Sequence, residues 1–184
     1  MKKNVIFIGG VHGVGKTTTC NRIVSNINIK HYSSSKLISK LRNDVVNVNK
    51  KVIDINNNQN ILLQALDIYT DRDTLLLLDG HFCLINRDGA IEKIPIQTFE
   101  SLGIVHIILL VDNPYKISQR LKDRDYEIYT TEFIDNFQKY EIEYAKIVAK
   151  EIGIKLDIVD KNSHKNVLQE FKLIISNLKN RDTK

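Results

Sequence analysis

Cysteine is scarce in this chain: Cys20 and Cys83 are the only two, and they lack the paired spacing of a metal knuckle. Both are expected to be reduced thiols, which fits a cytoplasmic protein. Long apolar runs are missing as well. No segment approaches the length of a membrane span. Lys2-Lys3 followed by Val5 to Ile8 imitates the start of a signal peptide, but that run falls short of the about 7–15 residues such a peptide needs. There is no arginine-rich run and no interleaving of aromatic with basic residues, so nucleic acid is not indicated as a partner despite a net charge of +5. Much of that excess is lysine spread among Asn-rich segments and in the solvated stretch Asn177 to Lys184. No internal repeat is found.

What is present suffices for one domain spanning residues 1–184, because 42% of the residues are hydrophobic and can build a core. Val5 to Ile8, Leu75 to Leu78, Val105 to Val111 and Ile154 to Val159 read as buried strands, with a weaker fifth near Lys30-His31-Tyr32. Helical stripes fall between and after them: Cys20, Ile23, Val24 and Ile27; Leu62, Ala65, Leu66 and Tyr69; Phe133, Phe137, Tyr140, Tyr144 and Val148; Val167, Leu168, Phe171, Ile174, Ile175 and Leu178. Asn113 can cap a helix opened by Pro114, and Gly153 can stop the long helix before the last strand. Asn56 to Asn60 looks like the polar start of a helix. Strand–helix alternation predicts an α/β fold with a doubly wound, parallel, five-stranded sheet and flanking helices. Stripes that pack inside a monomer read the same as stripes that pack between subunits, so the oligomeric state stays open.

Directly after the first strand the chain reads Gly10-Val11-His12-Gly13-Val14-Gly15-Lys16-Thr17, a complete phosphate-binding loop in its strand–loop–helix setting. The glycines let backbone N–H groups converge on phosphate oxygens where a Cβ would crowd the turn. Lys16 supplies an ammonium for the β- and γ-phosphates, Thr17 a hydroxyl for Mg²⁺, and the following helix its positive dipole end. The fold is therefore expected to be that of a P-loop NTPase, with Gly10, Gly13, Val14, Gly15, Lys16, Thr17 and Thr18 holding the phosphates. The backbone of His12 is expected to touch phosphate while its side chain points outward.

A phosphate loop alone does not select a reaction. Asp79 ends a buried strand, where a carboxylate can hold Mg²⁺ or its water beside the phosphates. Arg120 and Arg124 share one helix face just before an irregular stretch, the arrangement of a short lid over about residues 120–131 that brings guanidinium groups to a transferring phosphoryl group. Salt bridges from that face to Asp123 and Glu127 are the other reading of the same spacing. The guanine-reading Asn-Lys-x-Asp is absent from the late strands; Asn49-Lys50-Lys51 lies too early, which argues against a switch GTPase. His81 follows Asp79 into the cleft and can bond an acceptor hydroxyl or phosphate, or serve only the structure. Ser33, Ser34 and Ser35 lead into a helix whose N-terminus can either receive an anion or be capped by a hydroxyl, with Arg42 in reach. Asp160-Lys161-Asn162 lies where a purine ring could rest.

Together the loop, the Asp79-Gly80-His81-Phe82 turn, the Val111-Asp112-Asn113-Pro114 strand end and the two arginines resemble a compact P-loop nucleotide kinase, most nearly the archaeal-type adenylate kinase. The resemblance implies ATP and Mg²⁺ as cofactors, Lys16, Asp79, Arg120 and Arg124 as catalytic residues, Thr17 and Asp79 at the metal, and an acceptor site within residues 32–65 that includes Ser35 and Arg42, with His81 beside it. Those enzymes carry an Arg-rich acceptor segment and further lid arginines. This chain has Arg42, then Asn, Lys and Gln through Asn60, and a lid of Tyr126-Glu127-Ile128-Tyr129. The expected reaction is phosphoryl transfer from ATP to a small molecule such as AMP or a deoxynucleoside monophosphate. A metabolite kinase, a polynucleotide 5′-kinase and a regulatory module with slow ATPase activity remain the alternatives.

Overall fold

Val5, Ile6 and Ile8 lose all contact with solvent and Phe7 nearly all, because the strand they form, β1 (Asn4–Gly9), has a neighbour on each edge and a helix layer on each face. The computed structural model describes residues 4–48, 58–71, 74–86, 88–125, 129–163 and 167–179. After β1 come α1 (Lys16–Val24), β2 (Lys30–Ser33), α2 (Ser34–Val48), α3 (Asn58–Tyr69) and β3 (Leu75–Asp79). A hairpin of β4 (Cys83–Ile85) and β5 (Ile91–Lys93) leads to the short α4 (Ile96–Ser101). The chain continues through β6 (Ile104–Val111), α5 (Pro114–Asp125), α6 (Thr131–Glu151), β7 (Leu156–Asp160) and α7 (Val167–Lys179).

The main sheet has the order β2-β3-β1-β6-β7, and every pairing in it is parallel. Central β1 has β3 on one side and β6 on the other, so its carboxyl end opens at the crevice where open α/β sheets place their ligands. Asp79 stands level with Ile8 in the β1–β3 register. The anticipated fold class is thus the observed one, weak fifth strand included. No described helix is long and apolar enough to cross a membrane.

Local signals account for several boundaries. Asn113 Oδ1 accepts from Tyr115 N at 2.9 Å and so caps the helix that Pro114 opens. Thr130 Oγ1 accepts from Phe133 N at 3.1 Å and starts α6. Gly153, at φ 69°, ends it.

Other expectations need correction. The last strand spans Leu156–Asp160 rather than 154–159, and it is an edge strand, with Ile158 43% exposed. One neighbour is enough for pairing but not for burial. Val24 lies off the buried face of α1. On α6 the residue facing the core is Glu141, fully buried, whereas Tyr140 is half exposed; the stripe passes through 134, 137, 141, 144 and 148 at helical spacing. The β4–β5 hairpin and α4 were not anticipated. Asn49 to Asn57 and the lid residues Tyr126, Glu127 and Ile128 lie outside the described residues, so the polar helix start is seen only from Asn58 onward.

Phe7, Phe82 and Phe99 form an aromatic knot under the crevice, with ring centroids 5.0–5.6 Å apart. It fits because two strand-end residues lack side chains. A Cβ on Gly9 would sit 2.4 Å from the Phe82 ring, and one on Gly80 2.9 Å from that of Phe7.

Candidate functional site

The loop between β1 and α1 winds back on itself through three glycines at positive φ: Gly10 at 140°, Gly13 at 75° and Gly15 at 94°. Crowding closes each position to a larger residue: a Cβ at Gly10 would lie 2.6 Å from the Leu110 carbonyl oxygen, and one at Gly13 would lie 2.7 Å from Leu121 Cγ. Gly10→Ala is therefore expected to lower folding stability by about 1–3 kcal/mol, read from its denaturant midpoint; an unchanged midpoint would show that the loop relaxes freely.

From outside, two cations grip the loop's carbonyls. Arg120 donates to Gly13 O at 3.3 Å and to Asp112 Oδ2 at 2.6 Å. Lys161 donates to Val14 O at 2.8 Å and stands 4.0 Å from Asp112 Oδ2. The Val14 amide between these two carbonyls donates to Val11 O at 3.3 Å and closes a turn within the loop. Sequence reasoning offered Lys161 as a purine contact and Arg120 as part of a lid. In the structure both donate to the loop itself, with buried Asp112 as their shared carboxylate. Asp123 is not the partner of Arg120. Arg124, one turn further along α5, lies close enough to Lys16 and His12 for its charge to lower both their pKa values.

Lys16 is buried, and its Nζ donates to Gly10 O at 2.6 Å and Val11 O at 3.1 Å. Thr17 Oγ1 donates to Asp79 Oδ2 at 3.1 Å, so the two predicted metal residues do meet. The same carboxylate oxygen lies 2.7 Å from His31 Nε2. Burial works against the charged form of Asp79, but the hydrogen bond and charge of His31, then Lys16, outweigh it and hold the carboxyl below its ordinary value.

Glu141 is the residue that sequence reasoning missed. It reaches from α6 to the strand-end turn, where Oε2 accepts from Phe82 N at 2.9 Å and Cys83 N at 2.6 Å. Burial pushes its pKa up to about 7 against the pull of Lys16 and of the Phe82, Cys83 and Gly10 amides, while burial draws Lys16 down to about 8 against the pull of Glu141 and Asp79. Glu141 and Lys16 thus share one dry pocket in which burial disfavours the charge on each. The available signal was a glutamate one turn from Phe137 on an otherwise apolar stripe.

His81 fills the space between these groups, its Nδ1 3.5 Å from Lys16 Nζ and 3.8 Å from Glu141 Oε1. His12 stacks on it with centroids 3.9 Å apart, so the His12 ring turns inward, not outward as expected. Burial, with the neighbouring cations, keeps both rings neutral: His12 falls to about 3 and His81 well below the usual imidazole range. Two neutral rings can pack against each other, tilted by 35°, beside an ammonium; two imidazoliums could not.

On the far side of Asp79 lies a cavity of about 310 Å³. Ser35 and Arg42 of α2, Asn58 of α3, and His81 line its polar part, so the candidate acceptor residues Ser35, Arg42 and His81 do come together. Phe7 and Phe99 of the aromatic knot form its apolar floor with Leu102, and Leu84 and Ile94, around the unanticipated hairpin, close one wall. Arg42 Nη2 donates to Asn58 Oδ1 at 2.7 Å, tying α2 to α3 at the rim. Ser34 Oγ donates to Asp79 O at 2.7 Å, and Ser33 Oγ lies 3.2 Å from Ser35 Oγ; the serine run thus secures the strand end and the first turn of α2.

Residues 9–135 match the AAA domain family. No curated protein matches the chain. Among solved structures, the shikimate kinase from Acinetobacter baumannii in complex with shikimate is similar with a TM-score of 0.55 and 14% identity, over 96% of this chain and 95% of that one. A shikimate kinase from Bacteroides thetaiotaomicron gives 0.54 and 12%, over 96% and 99%. A sugar kinase from Janibacter sp. HTCC2649 gives 0.51 and 15%, over 95% and 94%. Likeness at such low identity establishes a common fold, the α/β fold of the P-loop NTPases. Because the family match spans more than half of the chain and begins at the phosphate loop described above, this protein belongs to the AAA domain family.

Proposed function

We propose that the protein is an ATP- and Mg²⁺-dependent kinase that passes the terminal phosphoryl group of ATP to a small molecule seated in the cavity beside Asp79 and His81. One observation carries the reading: Asp79 and His81 line the cavity and also reach the phosphate-loop residues, Asp79 Oδ2 lying 3.1 Å from Thr17 Oγ1 and His81 Nδ1 3.5 Å from Lys16 Nζ. A switch or a slow ATPase needs the loop but has no use for a second cavity there. A polynucleotide end would need an open groove.

Thr17 and Asp79 offer hard oxygen donors 3.1 Å apart, a set suited to Mg²⁺, which would balance charge on the phosphates when bound. Lys16 would hold the β- and γ-phosphates, the loop amides would cradle them, and Arg124 would approach the transferring group from α5. Arg120 would act through the loop, as a clamp. Neutral His81 is suited to accept the proton of an acceptor hydroxyl within hydrogen-bond reach. Closing the acceptor under α2, α3 and the hairpin would keep water from taking its place.

The resemblance to archaeal-type adenylate kinases favours a nucleoside monophosphate as acceptor, AMP or a deoxynucleotide. The cavity supports a second reading. Its volume stands at the small end of ligand pockets, roughly 300–1,000 Å³, and it offers Arg42 as its guanidinium. Both features suit a compact ring with one anionic group, of which shikimate, bound in the similar Acinetobacter enzyme, is an example. The deciding experiment is ADP formation from MgATP in the presence of nucleoside monophosphates, nucleosides, ring carboxylates and sugars. At least one is expected to raise turnover well above water hydrolysis; a panel without any stimulation contradicts the proposal. With the active acceptor, Arg42→Ala is expected to raise the acceptor KM by about 10–100-fold, the loss of one charge-assisted hydrogen bond, while the ATP KM stays unchanged. An unaltered acceptor KM would remove Arg42 from the site.

A further inference from the structure

Below the phosphate loop, on the β2 side, three elements each send one donor atom to a common point. Cys20 comes from α1, His31 from β2 and Asp79 from the end of β3. The thiol sulfur, an imidazole nitrogen and a carboxylate oxygen lie within 4.8 Å of one another. All three are shielded from solvent: Cys20 is fully buried, Asp79 nearly so, and the His31 side chain is 10% exposed. Sulfur, nitrogen and oxygen together make a poor magnesium site and a good zinc site, because Mg²⁺ demands six hard oxygens while Zn²⁺ takes a thiolate, an imidazole and a carboxylate tetrahedrally.

We infer that Cys20, His31 and Asp79 form a binding site for Zn²⁺, which inhibits the enzyme by taking Asp79 away from its catalytic partner. Metal–ligand lengths of about 2.0–2.3 Å place tetrahedral ligands roughly 3.3–3.8 Å apart. The His31–Asp79 pair at 2.7 Å must open slightly, a change within reach of side-chain rotation. Binding forms a zinc–sulfur bond at the cost of the thiol S–H and a zinc–nitrogen bond at the cost of the His31 Nε2–H that faces Asp79; both protons leave to solvent, and His31 binds as a neutral imidazole with its remaining proton on Nδ1. No oxidant or reductant takes part. A water or the hydroxyl of Thr17 completes the four-coordinate shell. Asp79 Oδ2, which Thr17 Oγ1 meets at 3.1 Å, is the nearest carboxylate oxygen to His31 as well, so zinc and the Thr17–Asp79 pair compete for one atom. Zinc binding itself stands independently of the kinase reading; only the inhibition rests on it.

Co²⁺ serves as the spectroscopic probe on the full chain. Titration is expected to produce a thiolate-to-cobalt charge-transfer band in the near ultraviolet, with the visible bands of a tetrahedral ion, saturating at one equivalent and bleached by Zn²⁺. Cys20→Ser should lose the charge-transfer band, and His31→Gln should weaken binding at least tenfold, since losing a ligand costs no less than losing the roughly 10–100-fold supplied by a ligand's supporting hydrogen bond. Circular dichroism and thermal midpoint establish that each variant is folded; Cys20→Ala replaces Cys20→Ser if the latter is not. A cobalt complex without the thiolate band, or a band that survives loss of Cys20, overturns the site. In the acceptor-stimulated assay with excess Mg²⁺, Zn²⁺ should inhibit the natural sequence at a concentration at least tenfold below that needed for the Cys20 variant; equal inhibition overturns the regulatory claim. Should no acceptor be found, the function falls while the cobalt titration still decides the site.

Discussion

Lys16→Ala is expected to lower kcat/KM for phosphoryl transfer at least about 10³-fold, with most of the fall in kcat. The change removes the ammonium that meets charge developing on the transferring group, in a site dry enough to make that charge matter. Lys16 is also buried against Glu141, and without it that carboxylate stands in the core with no counter-charge. Glu141 keeps its Phe82 and Cys83 amide donors, so the fold survives by taking up a proton at Glu141, whose pKa should then climb above the present value of about 7. Steady-state kinetics and a denaturation series at two pH values measure both effects. Retained turnover in a folded Lys16→Ala variant would remove the lysine from the chemistry.

The second large effect belongs to Glu141. Truncation to alanine is expected to cost about 3–5 kcal/mol of folding stability, because it strands the buried ammonium of Lys16 together with two backbone donors. A Lys16→Met, Glu141→Leu double variant should recover much of that loss while remaining inactive, since buried ion pairs are often no more stabilising than apolar residues of similar volume. Such a result would mean that the pair itself contributes little net stability and that most of the single-variant loss comes from leaving one charge without its partner. The sign of the pH dependence follows from a raised carboxyl pKa. Between the ordinary glutamate value of about 4.3 and about 7, the unfolded chain has released its proton while the folded chain retains it. In that window the unfolded state binds fewer protons, so stability falls as pH rises, and the trend ends above the folded pKa. Glu141→Gln should lack that slope. Denaturant midpoints between pH 5 and 8 compare the two proteins; parallel profiles would contradict the assignment.

The parts of this molecule that the sequence made legible are those whose causes are local. Glycine spacing after an apolar strand fixed the phosphate loop, Asn113-Pro114 fixed the start of α5, and the carboxylate closing the leucine run proved to be the residue that meets Thr17. Acceptor residues Ser35, Arg42 and His81 could be found because a βαβ crossover brings α2 and the β3 turn to the same end of the sheet. What stayed hidden depends on contacts distant in sequence. Glu141 reads as an ordinary helix-surface residue until α6 is laid against the turn at Phe82 and Cys83, and only then does its place on the stripe gain meaning. His12 turns inward because His81, far along the chain, offers a neutral ring to stack on. The short β4–β5 hairpin has too few residues for a periodic signal: Cys83 joins the core, Ile85 and Ile91 pack against it, and Leu84 lines the cavity. The edge position of β7 follows from strand order, which no local pattern encodes.

Calorimetric titration of the protein with ATP in the presence of Mg²⁺ tests the central claim most directly. One saturable site per chain is expected, abolished by Lys16→Ala and left intact by Arg42→Ala, because the first residue serves the triphosphate and the second only the acceptor. Absence of any heat of binding from the natural sequence, or an isotherm that Lys16→Ala leaves unchanged, would contradict the account.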